Sequence, residues 1–228
     1  MDLEFLKTTT VSLLSSVPLT VSLVAVSLAC GLLLAISLTA SRILGPTPLA
    51  WLVRAYVFVF RGTPLLVQIF LIYYGLSQFE AVRDSIFWGL LRDPFWCASL
   101  ALMLNTAAYT TEIIRGGVQA VPPGQVEAAR ACGMSNLTLV RRIVAPIALR
   151  QALPVYGSEV ILMIKATSLA SVITILEVTG VAHKIISASY RSVEVFMCAG
   201  AIYLALNFLV TRLVSAIEKR LNKHLSLA

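Results

Sequence analysis

The sequence predicts an all-α membrane protein with five transmembrane helices. Hydrophobic residues make up 58% of its 228 residues, charged residues only 13%, and the mean hydropathy is +0.88. A water-soluble domain of this size cannot hide so much apolar surface in one core. The apolar residues also fall in long uncharged runs, of which residues 8–41 form the longest, and a spanning helix needs only about 20 such residues.

The first span is expected near residues 19–40, after an early break at Pro18. Two acidic residues and one lysine precede the uncharged run, and Arg42 follows it. This charge order favours an uncleaved helix with its N-terminus outside over a signal peptide. Residues 45–51, which contain two prolines, are expected to form a tight cytoplasmic connection.

The second span is expected near residues 56–79 and begins in the segment FRGTPLLVQ. Thr63 can cap this helix, and Pro64 can occupy its first turn, where a missing N–H costs nothing. The segment is therefore either a helix start or a site of direct function, and the residues leave both interpretations open.

Three further spans are predicted from the later uncharged runs. An outer loop at residues 80–93 leads to the third span at 94–111, and the fourth span opens at Arg150. The fifth span covers 195–211 and follows an amphipathic outer helix and loop at 177–194.

Two ionisable residues lie within the fourth span, which implies a partner or a wet cavity. Glu159 lies about 14 Å along the helix from Arg150, close to the middle of a roughly 30 Å core. Lys165 points about 120° away from Glu159 on a straight helix. We therefore expect Lys165 to snorkel or to pair across a subunit interface, rather than to neutralise Glu159.

Hydroxyl groups follow the lysine at Thr167, Ser168, Ser171 and Thr174. They are consistent with a cavity wall, or equally with side chains that bond back to carbonyls of their own helix.

At the inner end of the third span, Glu112 is expected to pair with Arg115. A gating contact between Glu112 and Arg61 is the alternative.

A polar segment, EAARACGMSNLTLVRRIVAP, separates the third span from the fourth. Residues 126–131 suit a short helix, Gly133 suits the positive φ that ends one, and a second helical run leads to Pro146. The segment resembles the EAA loop of ATP-binding-cassette (ABC) importer permeases. Six positions match that pattern, and only the leucine position departs, being Ala145; the matching residues are Glu127, Ala128, Ala129, Gly133, Ile143 and Pro146.

The resemblance extends over nearly the whole chain. The segments FRGTPLLVQ, NTAAYTTEIIRGG, EAARACGM and EVILMIKATSLASVI are similar to the M-type permease subunits for histidine, lysine and arginine, and for octopine and nopaline. It implies a type I ABC importer (MetI-like) fold. It also implies one transmembrane permease domain over 1–228, with a core at about 18–218 and a docking loop at 122–146.

The same resemblance implies partners and site residues. The partners are a homologous Q-type permease, two ABC ATPase subunits that bind ATP and Mg, a periplasmic solute-binding protein and the lipid bilayer. The implied activity is import of a cationic amino acid or opine (arginine, histidine, lysine, ornithine, octopine or nopaline) by alternating access. The docking residues are Glu127, Ala128, Ala129, Arg130, Gly133 and Met134. The solute pathway is expected, from the depth of Glu159 in the fourth span rather than from the resemblance, at Glu159, Met163, Thr167 and Ser168.

Several functions are disfavoured by the residues themselves. No P-loop sequence is present, so ATP hydrolysis is expected in a partner and no catalytic residue or cofactor is assigned to this chain. The four cysteines lack metal-ligand spacing, and both histidines, His183 and His224, lie outside the predicted spans, which argues against an intramembrane enzyme. A secondary transporter or channel subunit for small polar solutes is the alternative, but it has no use for a docking loop.

The net charge of +7 is explained by membrane topology rather than by nucleic-acid binding. With the N-terminus outside, twelve of the 18 Lys and Arg residues, including Lys223, lie on the inner side and five on the outer side. This distribution predicts a multi-pass membrane protein with an outer N-terminus and a cytoplasmic C-terminus. The resemblance implies that the membrane is the bacterial inner membrane and that the N-terminus is periplasmic. It leaves open whether the permease pairs with a relative or with itself, and whether Glu159 contacts solute or the partner subunit.

Overall fold

The computed structural model describes residues 2–221, and this part of the chain is helical with short connections. Lys223 and His224 lie outside the described residues. The helices are α1 (Leu3–Leu44), α2 (Thr47–Gly62), α3 (Leu65–Phe70), α4 (Glu80–Arg83), α5 (Trp88–Leu91), α6 (Pro94–Gln119), α7 (Pro123–Ala131), α8 (Asn136–Leu139), α9 (Ala145–Ala166), α10 (Val178–Ser189) and α11 (Ser192–Leu221).

Among residues 2–221, three helices are long and apolar enough to cross a membrane: Leu3–Leu44, Asn136–Ile173 and Ser192–Arg220. A fourth crossing is a bent unit in which α2 meets the segment Leu65–Gln78 at 107°. Helix α6 has 26 residues, about 39 Å, which exceeds a roughly 30 Å bilayer core. Together these elements supply the five crossings that the sequence predicts.

Helix α6 is less apolar than the other spans because polar side chains face its neighbours. Twelve of its residues are buried. Five of them are polar, which lowers the hydropathy of the helix without exposing polar groups to lipid; these are Ser99, Asn105, Thr106, Thr110 and Thr111.

Helices α1 and α6 pack side by side in the same direction. The Ser27 hydroxyl donates to the Ser99 carbonyl at 3.4 Å, and the Thr39 hydroxyl donates to the Thr111 carbonyl at 3.3 Å. Both pairs are 72 residues apart, so the register stays constant along the two helices. Since α1 and α6 run in parallel, the chain must recross the membrane between them, and the bent unit makes that crossing.

Helix α9 runs antiparallel to α6. Gly117 on α6 lies against the backbone of Ala148, whereas Thr106, eleven residues earlier, contacts Glu159. Apolar clusters close the bundle around these pairs. One contains Leu23, Ile69, Cys97, Ala98, Ala101, Ala170, Ile173 and Ile175, and the other contains Leu13, Val178, Ala182, Val195, Ala199 and Ile202.

The predicted bounds of the second and fourth spans are wrong. Helix α2 begins at Thr47, so the connection after α1 is only two residues long, and the predicted helix over 56–79 is broken between Gly62 and Leu65. The fourth span opens at Asn136 rather than at Arg150. A π-helical turn at Val140–Val144 lets the helix continue past Pro146, which lies in the first turn of α9 and needs no N–H donor there.

The first, third and fifth spans are longer than predicted. Pro18 lies inside α1 without breaking it, α6 continues to Gln119, and α11 begins at Ser192. A bilayer helix can lose the hydrogen bond at one proline because packing against its neighbours holds it in place.

Gly117 and Gly116 provide a matched test of the packing between α6 and α9. A Cβ added at Gly117 would lie 2.5 Å from the Ala148 carbonyl oxygen, whereas one at Gly116 meets nothing within 4 Å. We predict that Gly117→Ala destabilises the folded chain by about 1–3 kcal/mol through overpacking. We predict that Gly116→Ala leaves stability unchanged or raises it, because alanine favours helix. Thermal unfolding in detergent measures both, and equal midpoints for the two variants would contradict the packing described.

Candidate functional site

The polar loop between α6 and α9 consists of a short helix, a turn and a second helix. Helix α7 begins with Pro123 and ends before Gly133, whose φ is +75°. The Gly133 N–H donates to the Arg130 carbonyl at 2.9 Å, and the Met134 N–H donates to the Ala129 carbonyl at 3.1 Å. These two bonds form a Schellman motif, which confirms the predicted helix end at Gly133.

The second helix of the loop starts from a capping serine. The Ser135 hydroxyl oxygen accepts from the Thr138 N–H at 3.4 Å. The helical stretch that follows runs from Asn136 to Ile173, through the π-helical turn at Val140–Val144 and into 3-10 helix from Thr167, for 38 residues or about 57 Å. The loop and the span that carries Glu159 are therefore one rod.

The predicted docking residues divide into an outer and an inner set. Glu127, Ala128 and Arg130 are exposed on α7, and Met134 is half-buried. Ala129, by contrast, is 3% exposed and packs inside the loop. The small side chain at Ala129 therefore serves the packing of this chain, while Ala128 is the alanine that a partner can reach.

The segment FRGTPLLVQ forms the bend between α2 and α3. The last carbonyls of α2 lose their helical partners there, and unpaired carbonyls are costly in an apolar setting. The Gln68 amide donates to the Phe60 and Thr63 carbonyls at 2.9 and 3.1 Å, and Asn105 on α6 donates to the Gln68 side-chain oxygen at 3.0 Å. The two amides hold the bend, so the segment stabilises a broken helix.

The predicted cap by Thr63 does not form. The Thr63 hydroxyl donates back to the Val59 carbonyl at 2.8 Å, and Pro64 occupies the cap position of α3. The hydroxyl is thus used by the end of α2 rather than by the start of the next helix.

Glu112 lies between two arginines near the C-terminal end of α6. Arg115 donates to one carboxylate oxygen at 2.6 and 2.8 Å, which confirms the predicted ion pair. Arg42, at the end of α1, binds the other oxygen. Arg61 lies instead over the ring of Tyr109, 5.1 Å from its centroid, so the alternative contact between Arg61 and Glu112 is not formed in this structure.

Glu159 is 7% exposed and faces α6. Its Oε1 accepts a hydrogen bond from the Thr106 hydroxyl at 2.9 Å, while no described residue donates to Oε2. Two other residues predicted to line the solute pathway, Met163 and Thr167, are 2% and 0% exposed within this chain. They therefore lie behind the surface rather than on it.

Lys165 is exposed and forms no ion pair with any described residue. The neighbouring hydroxyls bond back to their own helix, Thr167 to Ile164, Ser168 to Lys165 and Ser171 to Ser168, at 2.6 to 2.7 Å. The structure thus favours hydroxyls that bond back to their own helix over a cavity wall. Ser168 is partly exposed, but its hydroxyl is already used.

Sequence reasoning missed one buried carboxylate. The sequence predicts Glu177 in an outer amphipathic segment, yet this residue is 0% exposed and caps α10 by accepting from the Gly180 N–H at 2.9 Å. The Tyr203 hydroxyl donates to its second oxygen at 2.7 Å. The only local signal was an acidic residue just before a helix start.

A bundle of five crossings with a helical loop projecting from one end is the architecture of a permease. Residues 27–223 match the family described as "Binding-protein-dependent transport system inner membrane component". The chain belongs to this family. It is a multi-pass permease component of the inner membrane, which sets aside the secondary-transporter alternative.

Curated relatives are similar over most of their length. The chain is 60% identical over 220 residues to an octopine transport system permease protein of Rhizobium radiobacter, covering 95% of this chain and 89% of that protein. It is 53% identical to a nopaline transport system permease protein of Agrobacterium fabrum, with 99% and 94% covered. It is 46% identical to an arginine ABC transporter permease protein of Escherichia coli, with 75% and 77% covered.

Solved structures are similar in fold. The crystal structure of an amino acid ABC transporter aligns with a TM-score of 0.86 and 34% identity, covering 96% of this chain and 99% of that one. The MetNI methionine ABC transporter aligns with a TM-score of 0.71 at 15% identity, covering 97% and 99%, which supports the type I (MetI-like) fold alone.

Gly133 and Gly124 provide a matched test of the loop. We predict that Gly133→Ala weakens the helix end by about 1–2 kcal/mol, because a Cβ is strained at positive φ. A Cβ added at Gly124 meets nothing within 4 Å, and this residue lies in the first turn of α7. We therefore expect Gly124→Ala to leave the stability of the loop unchanged. Hydrogen exchange of residues 126–139 measures the effect, and equal protection in the two variants would contradict the motif.

Proposed function

We propose that this chain is a permease subunit of an ATP-driven importer of cationic amino acids or opines, and that it forms half of the solute pathway. The names of the octopine, nopaline and arginine relatives support this solute class. The mechanism rests most on one observation: an exposed docking helix leads, through one tight turn, into the rod that carries Glu159.

The proposed complex contains two ABC ATPase subunits, which bind ATP and Mg, and a periplasmic solute-binding protein. The ATPase is proposed to receive α7 in a groove, with Glu127 and Arg130 meeting charged partners and Ala128 allowing close approach. The second permease is proposed to be a Q-type relative. An exposed apolar cleft of about 500 Å³ beside Val67, Leu71, Tyr74 and Val172 supports a protein partner for this face.

The proposed orientation places the N-terminus in the periplasm and the docking loop in the cytoplasm. Helix α6 separates residues 80–93 from the docking loop, so these segments lie on opposite sides. The excess of basic residues on the docking-loop side supports assigning that side to the cytoplasm.

We propose that alternating access is driven through the rod. Closure of the ATPase pair displaces α7, and the displacement passes through the turn at Gly133 into Asn136–Ile173. This rod packs against α6 and α11, so the permease halves rock and open on the outer side. Glu159 Oε2, which no described residue of this chain engages, is proposed to attract the guanidinium or ammonium group of the solute.

Ala128→Trp tests the docking role. Ala128 is exposed, so the larger side chain leaves the fold intact while blocking close approach by a partner. We predict that co-purification with the ATPase subunit falls about tenfold or more. Ala188→Trp, on the exposed face of α10 at the other end of the molecule, is the control and is expected to have no effect. Full ATPase recovery with Ala128→Trp would contradict the proposal.

Glu159→Gln tests the solute role. Glutamine keeps an acceptor for Thr106 but removes the charge, so the bundle is expected to stay folded. We predict that the apparent affinity for arginine in proteoliposome uptake falls at least about tenfold, the value of a charge-assisted hydrogen bond. Exposed Glu80→Gln, in the outer loop, serves as the control. Unchanged affinity and selectivity would remove Glu159 from the pathway and leave it a structural partner of Thr106.

A further inference from the structure

Three arginines line a cleft of about 440 Å³ at the inner ends of α1, α2 and α6: Arg42, Arg54 and Arg61. The one acidic side chain in the cleft, Glu112, already binds Arg42 and Arg115. Within residues 2–221, neither Arg54 nor Arg61 has a carboxylate within 4.0 Å. The cleft therefore carries an excess of positive charge that this chain does not neutralise.

The two unpaired arginines are presented by α2, the first half of the bent crossing. Both line the cleft together with Tyr109 and Glu112, near the C-terminal end of α6. The inner face of α2, with Ala50, Val53 and Val57, is buried against the bundle. Amphipathic helices with basic residues lie among lipid headgroups.

One side of the cleft rim is apolar. Phe58, which lines the cleft, is 79% exposed, and Trp51, Leu52 and Val59 are exposed elsewhere on the same helix. Tryptophan is enriched at the membrane interface, and exposed apolar side chains on a helix there contact acyl chains. A ligand of this cleft thus meets guanidinium groups on one side and hydrocarbon on the other.

Arginine is suited to one ligand chemistry in particular. The guanidinium group presents a planar fork of N–H donors that matches phosphate oxygens, and its charge persists at any physiological pH. Stacking of Arg61 on Tyr109 at 5.1 Å restrains that group, so little further ordering is needed on binding.

We propose that the cleft between α1, α2 and α6 binds a phosphate group through Arg54 and Arg61, supplied by the headgroup of an anionic membrane lipid. Basic pockets between membrane helices on the cytoplasmic side have this property in general. The apolar rim favours the lipid over free phosphate. The site is separate from the docking loop. Arg61 also lies within electrostatic reach of Glu159, so Arg54→Gln is the variant that distinguishes this proposal from the solute role of Glu159.

Native mass spectrometry of the full-length chain in detergent tests this site. The probes are phosphatidylglycerol, phosphatidylcholine and inorganic phosphate, each titrated separately. We expect phosphatidylglycerol to bind more tightly than phosphatidylcholine. Arg54→Gln alone should lower phosphatidylglycerol affinity about fivefold, and Arg54→Gln with Arg61→Gln about thirtyfold.

The matched control removes two arginines from the outer loop, through Arg83→Gln with Arg92→Gln. Its affinity for phosphatidylglycerol should stay within about twofold of the parent chain, because these residues lie away from the cleft. The thermal unfolding midpoint confirms that each variant is folded. If the variant with both Arg54→Gln and Arg61→Gln does not fold, the single variant Arg54→Gln tests the site. It is expected to fold because Arg54 is exposed and makes no hydrogen bond to a described side chain.

Each outcome bears on the proposal. Arginine-dependent binding of phosphatidylglycerol supports the lipid source. Binding of inorganic phosphate alone, with the same arginine dependence, retains the phosphate site but overturns the lipid source. Two outcomes would overturn the site altogether. In one, the cleft and control variants lose phosphatidylglycerol affinity equally. In the other, the parent chain shows no preference for phosphatidylglycerol and does not bind inorganic phosphate.

Discussion

Helix α6 makes hydrogen bonds to three neighbouring elements. Thr106 donates to Glu159 on α9, and Asn105 donates to Gln68 at the bend after α2. The carbonyls of Ser99 and Thr111 accept hydrogen bonds from α1. In a bilayer there is no water to satisfy such groups, so their partners must come from the protein. These contacts fix the direction and register of the helices, which hydrophobic burial alone does not specify because lipid is as apolar as the core.

The position of the docking loop follows from this constraint. Helix α6 and the rod Asn136–Ile173 pack antiparallel, so the loop that joins them must lie at one end of the bundle. The Schellman motif at Gly133 turns the chain so that α7 lies outside the bundle while Ala129 packs inside the loop. Helix α7 thus leads through a single tight turn into the helix that bears Glu159. This is the route by which we propose that movement of a partner becomes movement of the bundle.

Local features were predictable from the sequence, and features that depend on distant residues were not. Gly133 and the helices on either side of it follow from residues within a few positions. The pairing of Glu112 with Arg115 is likewise local, but the partner Arg42 is 70 residues away and nothing in the sequence indicates it. The sequence does not predict the 107° bend, because hydropathy does not record direction and Pro64 is equally compatible with the first turn of a continuous span. Glu177 was missed because its burial depends on α1 and α11, which pack over the start of α10.

The central claim is that α6 crosses the membrane and leaves the docking loop on the cytoplasmic side. Native Cys132 is exposed in that loop, and Ala81 is exposed in the loop before α6. Membrane-impermeant maleimide should label Cys132 in inside-out vesicles but not in spheroplasts, and Cys132→Ser should abolish this labelling. An Ala81→Cys, Cys132→Ser variant should show the reverse pattern. Labelling of both positions from the same side of the membrane would contradict the account.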